Sequence, residues 1–410
     1  MPALTLTVFI LTYVGMAIGR VPGMRLDRTG IALVAVAVLL GAGAIDTAFV
    51  GHAADAPTLL LLFALMVVSA QIEHSGFYAA CARRIVAARI GARGLLALTI
   101  AVAGGISAVL VNDIVVFAMT PLLATGLGGR GLDPRPFLLG LAAASNAGSA
   151  AMVIGNPQNI LIAQVGHLDF WSFFAVCAVP AIVALGVAYV VIARQWREEL
   201  VTVRSVTVRV GTNEVLDRQQ IAKGVVATLA VIVWFSLGLP REVGAIAVAA
   251  LLLASRKVAS RTILSAIDWQ LLVLFACLFV VTAAVAQSGA GDALLDWLAQ
   301  RDLWPDRLAV LLPLALVLSN TIGNVPTVVL IATFWTDAAP GALIALALLS
   351  TLAGNLLIVG SIASLIVAER AATVGVILGF RDFVRAGVPI TLVTMVFAAL
   401  WLVATGQIGF

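Results

Sequence analysis

Four polar clusters interrupt long apolar stretches of this 410-residue chain, and their residue types bind ions through dipoles more than through formal charge. The first lies at Val111-Asn112-Asp113, between the apolar arms Leu95 to Leu110 and Ile114 to Leu123. The second turns around Thr321-Ile322-Gly323-Asn324, just before Pro326. A third couples Ser145-Asn146-Ala147-Gly148-Ser149 to Gly155-Asn156-Pro157-Gln158-Asn159, and the fourth couples Ala353-Gly354-Asn355 to Gly360-Ser361. Unwound carbonyls and Asn or Ser oxygens suit Na⁺ or another hard cation, whereas free amides at a helix N-terminus attract anions. Asp113 is the one carboxylate expected at membrane depth. An ionised acid there costs about 2.5–3.5 kcal/mol, so it should be paired, hydrated, or protonated for part of a cycle. That makes it the leading coupling-ion or proton site; the alternative is a structural acid capping a helix that starts at Ile114.

The clusters come in pairs. Ser75-Gly76 recurs as Ser288-Gly289, within MVVSAQIEHSG against FVVTAAVAQSG, and Ser107 and Asn112 recur as Ser319 and Asn324. Ser145, Gly155 and Asn156 answer to Ser350, Gly360 and Ser361, and Pro180 answers to Pro389. Paired interruptions at corresponding positions of two apolar halves point to the binding site of a secondary transporter.

Composition sets the setting for those residues. With 62% hydrophobic residues, 11% charged and a mean hydropathy of +1.13, the chain has too little polar surface to cover a soluble globule. Spans of about 20 apolar residues are expected. They fall at about 3–19, 29–45, 58–73, 136–166 (broken) and 170–192. The second set falls at about 222–239, 243–255, 269–287, 342–368 (broken) and 383–404. Hairpins are expected at about 94–127 and 308–336. The first stretch lacks a basic n-region and a cleavage site, so it reads as a retained helix. Cys81, Cys177 and Cys277 are too scattered for a disulfide framework or a transition-metal site, and no cofactor is implied.

The predicted architecture is an all-α membrane protein of two inverted repeats, each with five transmembrane helices, a re-entrant hairpin and a broken helix. Residues 1–193 form the first repeat, 194–221 a cytoplasmic linker and 222–410 the second repeat. A plain twelve-span bundle is the alternative. All of the 24 Lys and Arg except Arg241, Arg301 and Arg307 sort onto one face, which marks that face as cytoplasmic and both termini as outside. The net charge of +4 is therefore a matter of topology and does not imply nucleic acid. Gly291 to Arg301 is amphipathic and expected to lie in the membrane interface, as is, less cleanly, Phe77 to Arg93. Glu369 beside Arg370 is expected to form an interfacial ion pair. No Lys or Arg falls in the hydrophobic part of any expected span, so a bound anion would rest on amides, hydroxyls and co-bound cations.

The stretches ISAVLVNDIVVFAMTPLL, SNAGSAAMVIGNPQNILIA, LSNTIGNVPTVVLI and GSIASLIVAERA resemble the ion transporter superfamily. It includes the arsenite efflux permeases, the divalent-anion:sodium symporters and the sodium/proton antiporters of the NhaD type. The resemblance implies an elevator-type fold, a homodimer in the cytoplasmic membrane and a substrate held between the hairpin tips. It implies one ion site at Ser107, Asn112, Gly148 and Asn156 and a second at Ser319, Asn324, Gly354 and Ser361; Asp113, on its own chemistry, and the neighbouring Ser149 and Asn355 are expected as further coupling-ion residues. Substrate contacts are expected from Asn112, Asp113, Asn156, Pro157, Asn324, Thr327 and Ser361. One departure matters. The dicarboxylate symporters carry Ser-Asn-Thr at each tip, whereas the matching triplets here are Val111-Asn112-Asp113 and Gly323-Asn324-Val325, and Ser319-Asn320-Thr321 is out of register. This tilts the expectation toward the arsenite and antiporter branches.

The expected function is therefore secondary active transport of a small anion or oxyacid, arsenite-like or carboxylate-like, coupled to H⁺ or Na⁺. The alternative is a Na⁺/H⁺ antiporter in which Asp113 exchanges the ions. An intramembrane aspartyl protease would need a second acid facing Asp113, and the sequence places none at depth.

Overall fold

The computed structural model describes residues 1–18, 26–200, 216–290, 296, 298, 300–301, 303–335 and 337–410. Helices α1 (Pro2–Ile18), α2 (Arg28–Gly41), the short α3 (Thr47–Ala53), α4 (Ala56–His74) and α5 (Phe77–Ala87) lead into a helical hairpin of α6 (Ala92–Val109) and α7 (Asn112–Gly129). A broken helix follows, made of α8 (Arg135–Ser149), a 3-10 turn at Val153–Gly155, and α9 (Pro157–Val165); α10 (Phe170–Gln195) ends the first half. The second half runs through α11 (Arg218–Ser236), α12 (Arg241–Leu253), the short α13 (Ser260–Leu264) and α14 (Trp269–Ser288). It continues with the hairpin α15 (Leu308–Thr321) and α16 (Asn324–Phe334), then α17 (Pro340–Ala353), a 3-10 turn at Ile358–Gly360, α18 (Ile362–Thr373) and α19 (Phe380–Ala404). Among the described residues every regular element is helical. The counterpart of α5, where the sequence predicts an interfacial helix over 291–301, lies largely outside the described residues.

Local chemistry sets the helix ends. Asp27, Asp46, Asp55, Asp169, Asp217 and Asp268 each cap a helix by accepting from a backbone N–H in its first turn, so much of the chain's acidity is occupied at helix starts. Proline opens α9 and α17, where its missing N–H is harmless. Inside α10, Pro180 leaves the Val176 carbonyl without its usual donor, and the Trp401 indole on α19 supplies one at 2.9 Å. Among the described residues six helices, α4, α6, α10, α11, α14 and α19, are long and apolar enough to cross a bilayer.

The broken helices sit at the centre. Every residue of α8 from Pro136 to Ser149 is buried, as is nearly all of α17. Their second halves cross over: α9 packs against α16 and α17, while α18 packs against α7 and α8. Each broken helix thereby joins the hairpin of one half to the hairpin of the other. Close approach needs glycine here, because a Cβ on Gly148 would stand 2.1 Å from the Gly104 carbonyl oxygen on α6.

A cavity where helix N-termini converge

The two hairpin tips are built differently from matching registers. In the first, Leu110 is extended and Val111 is non-helical, and the freed Val111 N–H donates to Ser69 Oγ on α4 at 3.2 Å. In the second, Gly323 takes φ +97°, which other residues rarely adopt, and α16 begins at Asn324 as α7 begins at Asn112. Behind the first tip, the Ser107 and Ser145 hydroxyls lie 3.3 Å apart and Ser145 Oγ donates to the Asn112 carbonyl. Oriented with its nitrogen toward the broken helix, the Asn324 amide donates to the carbonyls of Gly360 at 2.8 Å and Ser350 at 3.2 Å.

Buried unwound backbone survives only if its polar groups find partners in the protein. Asn156 Oδ1 accepts from Asn159 N at 2.9 Å, its Nδ2 donates to Ser149 Oγ, and Asn159 Nδ2 donates to the carbonyls of Ser149 and Met152. In the second break Asn320 does this work, donating to the Ala353 carbonyl at 2.9 Å and accepting from Leu357 N at 3.2 Å. Asn146 ties the breaks together: its Nδ2 donates to Asn355 Oδ1 at 2.9 Å, and its Oδ1 accepts from Ser361 Oγ at 2.8 Å. Three buried polar atoms around this network have no partner, namely Asn112 Oδ1, Ser319 Oγ and Asn355 Nδ2.

These elements enclose a cavity of about 450 Å³. Six helix N-termini face it: α2 through Asp27 to Thr29, α7 through Asn112 and Asp113, α9 through Pro157 and Gln158, α14 through Asp268 and Gln270, α16 through Asn324 to Pro326, and α18 through Ser361 and Ile362. Each N-terminus adds a partial positive charge toward the space without a charged side chain, and at α2 and α14 a capping carboxylate offsets it. Four carboxylates line the same space, Asp27, Asp113, Asp268 and Glu369, with one guanidinium, Arg28. Asp27 and Asp268 are occupied as caps, accepting from Gly30 N at 2.8 Å and Leu271 N at 2.9 Å. Among the described residues Arg28 makes no ion pair, and its Nη1 lies 3.2 Å from where a Cβ on Gly323 would stand.

The family profile described as citrate transporter matches residues 8–342. The chain belongs to the citrate transporter family. It is 29% identical to an uncharacterized transporter of Mycobacterium tuberculosis, over 98% of each chain. It is 27% identical to the silicon efflux transporter LSI3 of Oryza sativa subsp. japonica, over 91% of this chain and 92% of that one. The crystal structure of the Alcanivorax borkumensis YdaH transporter, whose topology is described as unusual, shares the fold at TM-score 0.54 and 13% identity, covering 98% and 97% of the two chains. This is a multi-pass membrane transporter and not an enzyme.

Within this transporter the residues singled out from sequence divide into two groups. Asn112, Asp113, Pro157, Asn324 and Ser361 line the cavity. Ser107, Gly148, Ser149, Asn156, Ser319, Thr327, Gly354 and Asn355 are packed behind its wall, where Thr327 Oγ1 donates to the Gly323 carbonyl and a Cβ on Gly354 would meet the Asn324 amide at 2.6 Å. Four sequence expectations need correction. Asp113 is not a cap, because α7 starts two residues before Ile114 with Val111 at the N-cap position. Glu369 and Arg370 form no ion pair: neighbours in a helix point about 100° apart, so Glu369 lines the cavity while the Arg370 guanidinium lies 4.0 Å from the centre of the Phe117 ring. Asp113 is not the only acid at the site, nor is the site free of basic side chains.

Proposed function

We propose that this chain is a secondary active transporter of the cytoplasmic membrane that moves a small oxyacid or anion, coupled to H⁺ or Na⁺. The observation that carries the reading is the convergence of six helix N-termini, three from each half, on one cavity. In this reading residues 1–193 and 222–410 are inverted five-crossing repeats joined by a cytoplasmic linker at 194–221. Both termini lie outside, the hairpins are re-entrant, and a homodimer holds the fixed helices. The hairpins and broken helices then move together as an elevator, which the cross-over of α9 and α18 between hairpins favours, since it makes the four elements one packed body. Arg28 and the α14 N-terminus belong to the fixed wall, and both adjoin the basic-face loops, so the cavity faces the cytoplasm.

Charge narrows the cargo. With Asp27 and Asp268 occupied as caps, the groups free to meet a cargo are Asp113, Glu369 and Arg28. Two carboxylates against one guanidinium disfavour a multivalent anion and suit a neutral or singly charged oxyacid, whose hydroxyls donate to the carboxylates and whose oxygens accept from Arg28 and the helix amides. The relative named for silicon efflux supports the oxyacid class; the family description supports citrate, which would need its charge offset by co-bound cations. Coupling is assigned to Asp113 for protons. For Na⁺ it is assigned to two sets, Ser107, Asn112, Gly148, Ser149 and Asn156, and Ser319, Asn324, Gly354, Asn355 and Ser361. The partnerless Asn112 Oδ1 and Ser319 Oγ, whose lone pairs await a donor or a cation, support these sets.

Purified protein in liposomes tests this with arsenite, silicic acid and citrate, each under imposed pH and Na⁺ gradients. Uphill movement of one cargo that collapses with one gradient is expected. Cation-driven proton flux with no cargo would favour the Na⁺/H⁺ antiporter instead, and flux indifferent to both gradients would overturn coupled transport.

A further inference from the structure

Away from the central cavity, the basic face carries a cleft of about 350 Å³ lined by Arg93, Tyr189, Val190, Ala193, Arg194 and Arg197. Four other arginines of that face are committed. Arg130 donates to the carbonyls of Val86 and Ala88, Arg135 pairs with Asp133 at 2.6 Å, Arg370 stacks on Phe117, and Arg385 stacks on Trp196 and donates to the Gln195 carbonyl. Among the described residues none pairs with Arg93, Arg194 or Arg197, and no acid lines the cleft.

A second feature runs into it. Residues Ile182, Gly186, Val190 and Arg194 are spaced by four along α10, so they form one stripe, and all four are exposed. Ile182 is 67% exposed, and a Cβ on Gly186 would meet nothing within 4 Å, which leaves a shallow groove between two apolar side chains. From Ile182 to Arg194 the helix rises about 18 Å, close to the roughly 15 Å hydrocarbon depth of one leaflet. Charge at the top and an apolar groove below match the two ends of a phospholipid.

We propose that this cleft binds an anionic phospholipid, its phosphate held by Arg93, Arg194 and Arg197 with the Tyr189 hydroxyl, and an acyl chain lying along Ile182, Gly186 and Val190. Each arginine near an anionic headgroup gives about a fivefold gain in binding, so three together give on the order of a hundredfold preference for anionic over zwitterionic lipid. The Gly186 groove adds the apolar contact that a free phosphate ion cannot use.

Native mass spectrometry of the detergent-purified full chain, titrated with phosphatidylglycerol or phosphatidylcholine, tests this directly. The wild type should retain phosphatidylglycerol about a hundredfold better, and millimolar inorganic phosphate should not displace it. Replacing all three arginines (R93Q, R194Q and R197Q together) should erase the preference. Gly186→Trp, which fills the groove and leaves the arginines in place, should weaken retention about tenfold; both variants are checked for a monodisperse elution profile and an unchanged melting temperature without lipid. Equal retention of the two lipids, an unchanged preference in the triple variant, displacement by phosphate alone, or a crosslink at Val190→Cys showing that a second copy covers the stripe would each overturn the proposal.

Discussion

Replacing Asn146 by alanine removes the side chain that joins the two broken helices, and the loss can be worked from its partners. Asn146 is 1% exposed and makes two hydrogen bonds, to Asn355 Oδ1 at 2.9 Å and from Ser361 Oγ at 2.8 Å. Asn355 Nδ2 already lacks a partner, so the substitution leaves the whole Asn355 amide and the Ser361 hydroxyl buried without one. At about 1–3 kcal/mol for each group, the expected loss is about 2–6 kcal/mol. Pairing the substitution with Ser361→Ala should cost less than the sum of the two singles, because the second change removes the stranded hydroxyl. Interhelical hydrogen bonds inside membranes have coupling energies averaging about 0.6 kcal/mol and reaching about 1.7, and this buried pair should fall at the upper end. Reversible unfolding in mixed micelles measures all four corners of the cycle. A single-variant loss below about 1 kcal/mol, or additivity within about 0.3 kcal/mol, would refute the claim that Asn146 holds the breaks together.

Other outcomes follow from the same geometry. Gly148→Ala puts a methyl 2.1 Å from the Gly104 carbonyl oxygen, so α6 and α8 must part by about 1 Å; overpacking of this kind costs about 1–3 kcal/mol, seen as a lower melting temperature in detergent. Asp113→Asn should leave downhill cargo movement measurable but remove its response to a pH gradient in liposomes. Arg241→Ala removes donors to the carbonyls of Ala163 and Leu168, which tie the end of α9 and the start of α10 to α12, and should cost about 1.5–3 kcal/mol in the same unfolding assay. Asp169 lies in the loop before α10, where the backbone N–H of Ser172, foremost among its contacts, holds its carboxyl below the usual carboxylate range. That stabilisation is complete above the ordinary carboxylate pKa of about 4 and fades as pH falls through the lowered value. Asp169→Ala should remove about 0.5–2 kcal/mol at neutral pH, with the difference from wild type shrinking in acid.

The positions of the breaks were legible because backbone physics writes them into sequence. The second halves restart at Pro157 behind Asn156 and at Ile362 behind Ser361, and the 3-10 turns Val153–Gly155 and Ile358–Gly360 end on the matched Gly155 and Gly360. The register of the tips was legible too, since α7 and α16 start at the matched Asn112 and Asn324. Arg28 was not, because its sequence neighbours mark it only as a residue at the basic end of α2. Whether such a residue faces solvent or a cavity depends on α14 and the Gly323 tip, both more than 200 positions away in sequence. Glu369 was hidden by the adjacent Arg370, whose charge suggested a pair that helix geometry forbids. Asn320 looked like an out-of-register motif and proves to be the side chain that satisfies the second break, a role visible only once Ala353 and Leu357 lie beside it.

The central claim is that the cavity of converging helix N-termini is the cargo path and opens to each face in turn. Ser361→Cys, in a background with Cys81, Cys177 and Cys277 replaced, places a thiol on the cavity wall. Membrane-impermeant maleimide applied to oriented vesicles reads its access from each side. Labelling is expected from the basic face at rest and from the opposite face when a cargo gradient drives the cycle, with protection by bound cargo on both sides. Labelling confined to one face under every gradient, or unaffected by any cargo, would contradict it.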